Sequence, residues 1–419
     1  MSDEAQRYRE RTPNSGRRFE ELRRYLPGGD SRSTLFYPPY PAVLVQGDGC
    51  RVVDLDGNRL LDLTGNHSIL VHGYGAARVM EAIRRQVELG TCFSGPTEAQ
   101  LSFAQHLVER IGSLERVRFT NSGTEAIMMA VRAARRFTGR RRIAKIEGGY
   151  HGTSGDVMGS EQPDLVVLPA DDARAAVALL ERHGPEIAAL LVEPIQGSAG
   201  MLALDPAYLR ALREATRSLG IVLLFDEVVS LRAAYGGAEE HFGIEPDLSC
   251  LGKMIGGGLP LGVFGGREEI MALFDPSQGP PVIPHPGSYN ANPVSLAAGL
   301  ASMELLSRDA VARLNATGDR LRAGLTGVFA EAGIPASITG LGSLFGIHLT
   351  GGPVRTIRDA ARGDAALRHR IFLGLYVEGM LLDPRGVGTL STAIGDPEIQ
   401  EFLVALRSVL SRLRQPALS

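Results

Sequence analysis

Of the 44 Lys+Arg residues in this chain of 419, two are lysines, Lys145 and Lys253. Arginine stays protonated, whereas a lysine amine can lose its proton and condense with a carbonyl. Lys253 sits in Leu251-Gly252-Lys253-Met254-Ile255-Gly256-Gly257-Gly258, a turn whose glycines let backbone approach a ligand. Lys145 lies inside an apolar strand-like run and reads as structural. Three further segments could do chemistry. Asn121-Ser122-Gly123-Thr124-Glu125-Ala126 stands at a strand end and helix start, where amide N–H groups and hydroxyls make an anion site. Plain helix capping explains the same residues. Gly148-Gly149-Tyr150-His151-Gly152 offers an aromatic ring that can stack on a flat ligand, or a packed tyrosine in a turn, with His151 completing local hydrogen bonds. Leu223-Leu224-Phe225-Asp226-Glu227-Val228 ends an apolar strand on a carboxylate, at the edge where parallel sheets bind ligands. A helix cap is the alternative there.

Together these segments supply a phosphate cradle, a ring stacker, an acid for a ring nitrogen and an amine for an aldehyde. Pyridoxal 5′-phosphate needs all four.

The elements that must position them follow from the apolar pattern. Val117-Arg118-Phe119-Thr120, Arg142 to Ile146, Leu165 to Leu168, Ile187 to Val192 and Ile221 to Phe225 read as strands. Helical runs separate several of them, notably Thr124 to Phe137 and Pro206 to Leu219. Unbroken apolar strands alternating with helices predict an α/β fold with a mostly parallel sheet covered on both faces. Ahead of them, the stretch to about Pro27 reads as one amphipathic helix carrying Phe19, Leu22 and Leu26. Three short strands follow, joined by the turns Asp48-Gly49 and Asp56-Gly57. The expected divisions are residues 1–64 as an N-terminal segment that joins a small domain, 65–300 as a large cofactor-binding domain, and 301–419 as the rest of the small domain.

Hydrophobic content of 44% with 22% charged residues describes an ordinary globular enzyme. A net charge of −3 gives no reason to expect nucleic acid or an anionic membrane as partner. Cys50, Cys92 and Cys250 are too scattered for a zinc-type site, and no metal site is expected. The polar start and the lack of a long apolar run make a cytoplasmic location the expectation.

The four segments occur in order with Val192-Glu193-Pro194-Ile195-Gln196-Gly197 and Gly287-Ser288-Tyr289-Asn290-Ala291-Asn292-Pro293. This ordered set resembles class III pyridoxal-phosphate aminotransferases of fold type I, over nearly the whole chain. The branch it looks closest to contains β-amino acid aminotransferases and glutamate-1-semialdehyde 2,1-aminomutases. The resemblance implies a large domain plus a smaller α+β domain built from both chain ends. It implies that Ser122, Gly123 and Thr124 hold the phosphate, and that Tyr150 stacks on the ring with Val228 beneath. It further implies that Asp226 pairs with the ring nitrogen, supported by Glu193, and that Lys253 forms the imine. A hydroxyl from a neighbouring subunit reaches the phosphate in such enzymes. Ser288 stands at that position here, which implies a homodimer with shared active sites.

Two arginines separate the reactions open to this branch. Arg32, in Asp30-Ser31-Arg32-Ser33, matches a substrate-carboxylate arginine; Arg385, in Asp383-Pro384-Arg385-Gly386, resembles one that holds the carboxylate of the amino acceptor. In a chain this rich in arginine, a surface charge is the competing reading of each. A β-amino acid carries its carboxylate one carbon further from the amine than an α-amino acid does, so an enzyme taking both in turn needs two carboxylate subsites. The expectation is transfer from a β-amino acid to a 2-oxo acid such as 2-oxoglutarate. Against it, Cys92-Phe93-Ser94-Gly95-Pro96-Thr97-Glu98 resembles an aminomutase segment, and Gly65-Asn66-His67-Ser68 lacks the aromatic residue often found near the substrate. Intramolecular amino transfer is therefore the first alternative; a racemase or a non-catalytic cofactor-binding protein stands behind it.

Overall fold

The apolar runs read from the sequence fall into one seven-stranded sheet in the computed structural model, which describes residues 3–159 and 162–414. The strand order is Arg116–Thr120, Gly262–Gly266, Leu248–Leu251, Val222–Asp226, Ile187–Val192, Arg142–Ile146 and Leu165–Leu168. All pairings are parallel except those of Gly262–Gly266, which runs antiparallel to both neighbours. That strand carries three glycines in five residues, so it offers little β-propensity to read. Its neighbours supply the reason it forms. A side chain on Gly265 would stand 2.8 Å from Val117 Cγ1, and one on Gly266 2.9 Å from Leu248 Cα.

Each central strand buries both faces, as its composition demands. Ala189, Leu191, Leu224, Leu248 and Phe264 pack under the helix Gly123–Thr138, through Ala126, Ile127, Ala130 and Ala134. On the opposite face Leu190, Val192, Leu223 and Phe225 meet Leu180, Leu209 and Leu212 of the helices Ala173–His183 and Pro206–Leu219. Each such large side chain contributes roughly 1.5–3 kcal/mol by leaving water. The layers therefore fix the carboxyl ends of these strands, where the candidate residues sit.

The N-terminal stretch differs from expectation. It forms two helices, Asp3–Arg11 and Pro13–Leu22, because Pro13 has no N–H to continue the first and sits at the first position of the second. The three short strands Leu44–Asp48, Arg51–Asp54 and Arg59–Asp62 form the expected antiparallel meander, and Met380–Leu381 adds in parallel at its far edge. Ser337–Thr339, Leu344–His348 and Val387–Thr389 make a separate antiparallel sheet. The helix Arg308–Glu331 and the final helix Asp396–Arg414 contribute to a core that includes Phe329, Phe345 and Phe402. Among the described residues, no helix is long and apolar enough to cross a membrane.

Candidate active site

A cavity of about 480 Å³ lies at the carboxyl end of the central strands. Ser122, Gly123 and Thr124 line it, together with Tyr150, Glu193, Asp226, Val228, Lys253 and Arg385. Residues separated by more than 260 positions thus converge on one space.

Ser122 caps the helix Gly123–Thr138, its Oγ accepting from the Glu125 N–H at 3.2 Å, so the capping explanation holds for its side chain. The helix N-terminus still opens into the cavity, where its remaining N–H groups favour an anion. Glycine is required on this floor. A side chain at Gly123 would come 2.9 Å from Val228 Cγ2. At Gly152, whose φ is +86°, one would come 2.9 Å from Thr124 Cβ.

Asp226 ends the strand Val222–Asp226 and is buried. Its Oδ1 accepts from the Val228 N–H at 3.1 Å, and its Oδ2 lies 2.9 Å from His151 Nδ1. His151 was expected to be a local structural residue; it reaches 75 positions along the chain to orient the candidate acid. Only its adjacency to Tyr150 hinted at this. Its Nε2 is buried without a hydrogen-bond partner among the described residues. Glu193 is buried beside Asp226, its oxygens accepting from the N–H groups of Tyr150 and Gly197 at 3.1 Å each. Burial, then the charge of Asp226, raise its carboxyl well above the ordinary range. Tyr150 is half exposed, which suits a ring awaiting a flat partner.

Lys253 follows the strand Leu248–Leu251 and has φ of +51°, a left-handed conformation costly for a side-chain-bearing residue. Burial pulls its amine below the ordinary value, Glu193 and Asp226 oppose, and Arg385 pushes the same way as burial. Lys145, by contrast, donates from its strand to the carbonyl of Val157, in the loop that follows, at 2.9 Å.

The two arginines occupy adjoining spaces. Arg385 lines the main cavity, and Asp383 grips its guanidinium through Nε at 2.9 Å and Nη2 at 2.8 Å. Arg32 is exposed, donates to Asn66 Oδ1 at 2.9 Å, and lines a neighbouring cavity of about 300 Å³. Ser288 lies on an exposed stretch outside both cavities of its own chain. Sequence reasoning passed over Asp383, although an Asp two positions before an arginine is well placed to clamp it. It noted the turn at Asn66 and His67 only for the ring it lacks.

These residues fit pyridoxal phosphate. A helix N-terminus, a buried carboxylate held from two sides, a half-exposed ring and a lysine of weakened basicity meet around one volume, and glycine leaves room at its base.

Comparison with known proteins agrees. The model of the family described as aminotransferase class-III matches residues 36–393. The chain is 40% identical to the β-phenylalanine transaminase of Variovorax paradoxus, over 98% of this chain and 95% of that one. It is 37% identical to a glutamate-1-semialdehyde 2,1-aminomutase of Methanothermobacter thermautotrophicus, covering 94% and 98%. The crystal structure of an ω-transaminase from Sphaerobacter thermophilus superposes with a TM-score of 0.93 at 42% identity, covering 97% of this chain and 99% of that one. The chain belongs to the class III aminotransferases, pyridoxal-phosphate-dependent enzymes of fold type I.

Proposed function

We propose that this enzyme moves the amino group of a β-amino acid to a 2-oxo acid acceptor such as 2-oxoglutarate. The observation that carries the reading is the pair of arginines, Arg32 and Arg385, in adjoining cavities. A single carboxylate subsite cannot serve substrates whose carboxylate stands at two distances from the amine. Identity of 40% to a β-phenylalanine transaminase supports the same choice.

Ser122, Gly123 and Thr124 would hold the cofactor phosphate, Asp226 the protonated ring nitrogen, Tyr150 one ring face and Val228 the other. Pyridoxal phosphate, when bound, supplies an aldehyde for an amine and a ring that withdraws electrons from the substrate carbon. Lys253 Nζ would hold the cofactor through its aldehyde, and as a free amine it would take and return the proton at the substrate carbon. His151 fixes the orientation of the Asp226 carboxylate. Arg32 fixes the donor carboxylate and Arg385 that of the acceptor. A serine from a second subunit, Ser288, would complete the phosphate site in a homodimer.

The test is the half-reaction of the holoenzyme. A β-amino acid should bleach the bound cofactor absorbance, and 2-oxoglutarate should restore it with formation of glutamate. Lys253→Ala should abolish both. Arg385→Ala should weaken the 2-oxoglutarate step about 10- to 100-fold, the worth of a charged hydrogen bond, and the donor step far less. Equal losses would end the two-subsite scheme. Intramolecular transfer, favoured by the 37% identity to an aminomutase, predicts turnover of an amino-aldehyde with no acceptor present.

A further inference from the structure

The two cavities share four walls, Thr34, Thr64, His67 and Asp383. The neighbouring cavity is apolar further along, at Leu35, Pro41, Leu44 and Leu381. Between the two spaces stands an unusual turn. Asn66, His67 and Ser68 have φ of 50°, 55° and 72°, three consecutive non-glycine residues in the left-handed region. Such a run persists only where its surroundings hold it. Here the side chains do the holding, one towards each arginine. Asn66 Oδ1 accepts from Arg32 Nη1 at 2.9 Å. His67 Nδ1 lies 3.4 Å from Asp383 Oδ2, and Asp383 clamps Arg385. One turn therefore touches both carboxylate subsites.

The second nitrogen of His67, Nε2, has no hydrogen-bond partner among the described residues and is not sealed in protein. The neighbouring walls of the cofactor cavity are Thr34, Thr64, Ser68 and Thr389, all bearing hydroxyls, while Tyr37, Tyr74 and Tyr376 line the adjoining cavity. We propose that His67 is a specificity-determining residue, whose Nε2 accepts a hydrogen bond from a hydroxyl on the side chain of the amino donor where that side chain lies against the wall the two cavities share. This rests on the reading of the enzyme as a β-amino acid aminotransferase. Burial lowers the basicity of His67, Arg385, Arg32 and Lys253 lower it further, and Asp383 opposes them. A neutral ring with its proton on Nδ1, towards Asp383, leaves Nε2 as an acceptor. A site built to hydrogen-bond a substrate hydroxyl discriminates strongly against the analogue lacking it, whereas an apolar pocket hardly rejects the added hydroxyl. The favoured donors are therefore hydroxylated β-amino acids, not their plain hydrocarbon counterparts.

The test uses the holoenzyme and two readouts. The first is calorimetric binding of 3-arylpropanoates, which lack the amine and cannot react. Ring-hydroxylated isomers are compared with the unsubstituted acid. The best hydroxylated isomer should bind on the order of tenfold more tightly, as one hydrogen bond allows. His67→Gly, which accepts the left-handed backbone, and His67→Phe, which keeps a ring without the nitrogen, should both erase that preference. A preference unchanged in a folded variant, or absent from the wild type, overturns the proposal. The second readout is bleaching of the cofactor absorbance by β-amino acids. Bleaching by hydroxylated β-amino acids with no dependence on position 67 overturns this proposal alone; no bleaching by any β-amino acid overturns the underlying reading and this one with it.

Discussion

Lys253 works through a balance of neighbouring charges, and that balance can be measured. Burial lowers its amine below the ordinary 10.5, and Arg385 adds to the effect. A lowered value means that the neutral, nucleophilic amine is present at lower pH than in a free lysine. The rate of pyridoxal-phosphate capture by the apoprotein should therefore rise with pH along a curve centred below 10.5. In Arg385→Ala one repelling charge is gone, so the centre should move upward. Stopped-flow absorbance would show it; a curve that moves downward, or not at all, would mean that Arg385 does not act on this amine. His151 offers a second test at this scale. Its Nδ1 lies 2.9 Å from Asp226 Oδ2 in a buried setting, and hydrogen bonds to charged groups contribute about 1.5–3 kcal/mol. His151→Leu should weaken cofactor retention about 10- to 100-fold, read by dialysis and absorbance titration, and should also lower the melting temperature of the apoprotein, because buried Asp226 loses a partner.

At the scale of elements, the phosphate end depends on how closely the loop after Arg142–Ile146 can approach the helix Gly123–Thr138. Gly152 makes that approach with φ of +86°, and an added Cβ would lie 2.9 Å from Thr124 Cβ and 3.1 Å from Thr124 Cα. Gly152→Ala should then lower pyridoxal-phosphate affinity about tenfold or more, since the left-handed alanine alone costs about 1–2 kcal/mol. Thr124→Ala should rescue it only in part, because it removes the nearest atom, the Thr124 hydroxyl, but keeps Cβ and Cα. Full rescue, seen in a titration of the double variant, would place the whole conflict at the hydroxyl. The strands that carry these loops were legible because burial on both faces demands unbroken apolar runs, as in Ile187–Val192 and Val222–Asp226. Lys253 and Asp226 were legible because glycine and a strand end mark them. The glycine-rich strand Gly262–Gly266 was not, since its place is set by neighbours that cannot tolerate side chains. Nor were the contacts of His151 with Asp226 and of His67 with Asp383. Those pairs are 75 and 316 residues apart, and neither partner's local pattern announces the other.

Across the whole molecule, the donor side of the site depends on how the chain's beginning meets its later portion. Met380–Leu381 adds to the meander alongside Arg59–Asp62, with Met380 opposite Leu61. Arg412 of the last helix reaches Glu4 of the first at 3.3 Å. Tyr8 sits at the centre of this junction with no exposure. Its hydroxyl lies 3.0 Å from the Tyr37 hydroxyl and donates to the Tyr40 carbonyl at 3.0 Å. Its ring meets that of Tyr376 edge-on at 5.0 Å, and the Tyr376 hydroxyl donates to Asp54 Oδ2 at 2.7 Å. Tyr37 and Tyr376 also line the cavity that holds Arg32. Removing the Tyr8 ring should therefore do two things at once. Tyr8→Ala should cost about 3–5 kcal/mol, the usual loss for a large buried ring. It should also raise KM for the amino donor more than it lowers kcat, because Tyr37 loses the support that shapes the Arg32 cavity. Tyr8→Phe keeps the ring and loses only the hydroxyl contacts, about 1–2 kcal/mol, so it should leave KM nearly unchanged. Denaturant unfolding beside steady-state kinetics on the three proteins separates the two effects. If Tyr8→Ala lowers stability and leaves donor KM untouched, the aromatic junction holds the chain ends together without shaping the donor subsite.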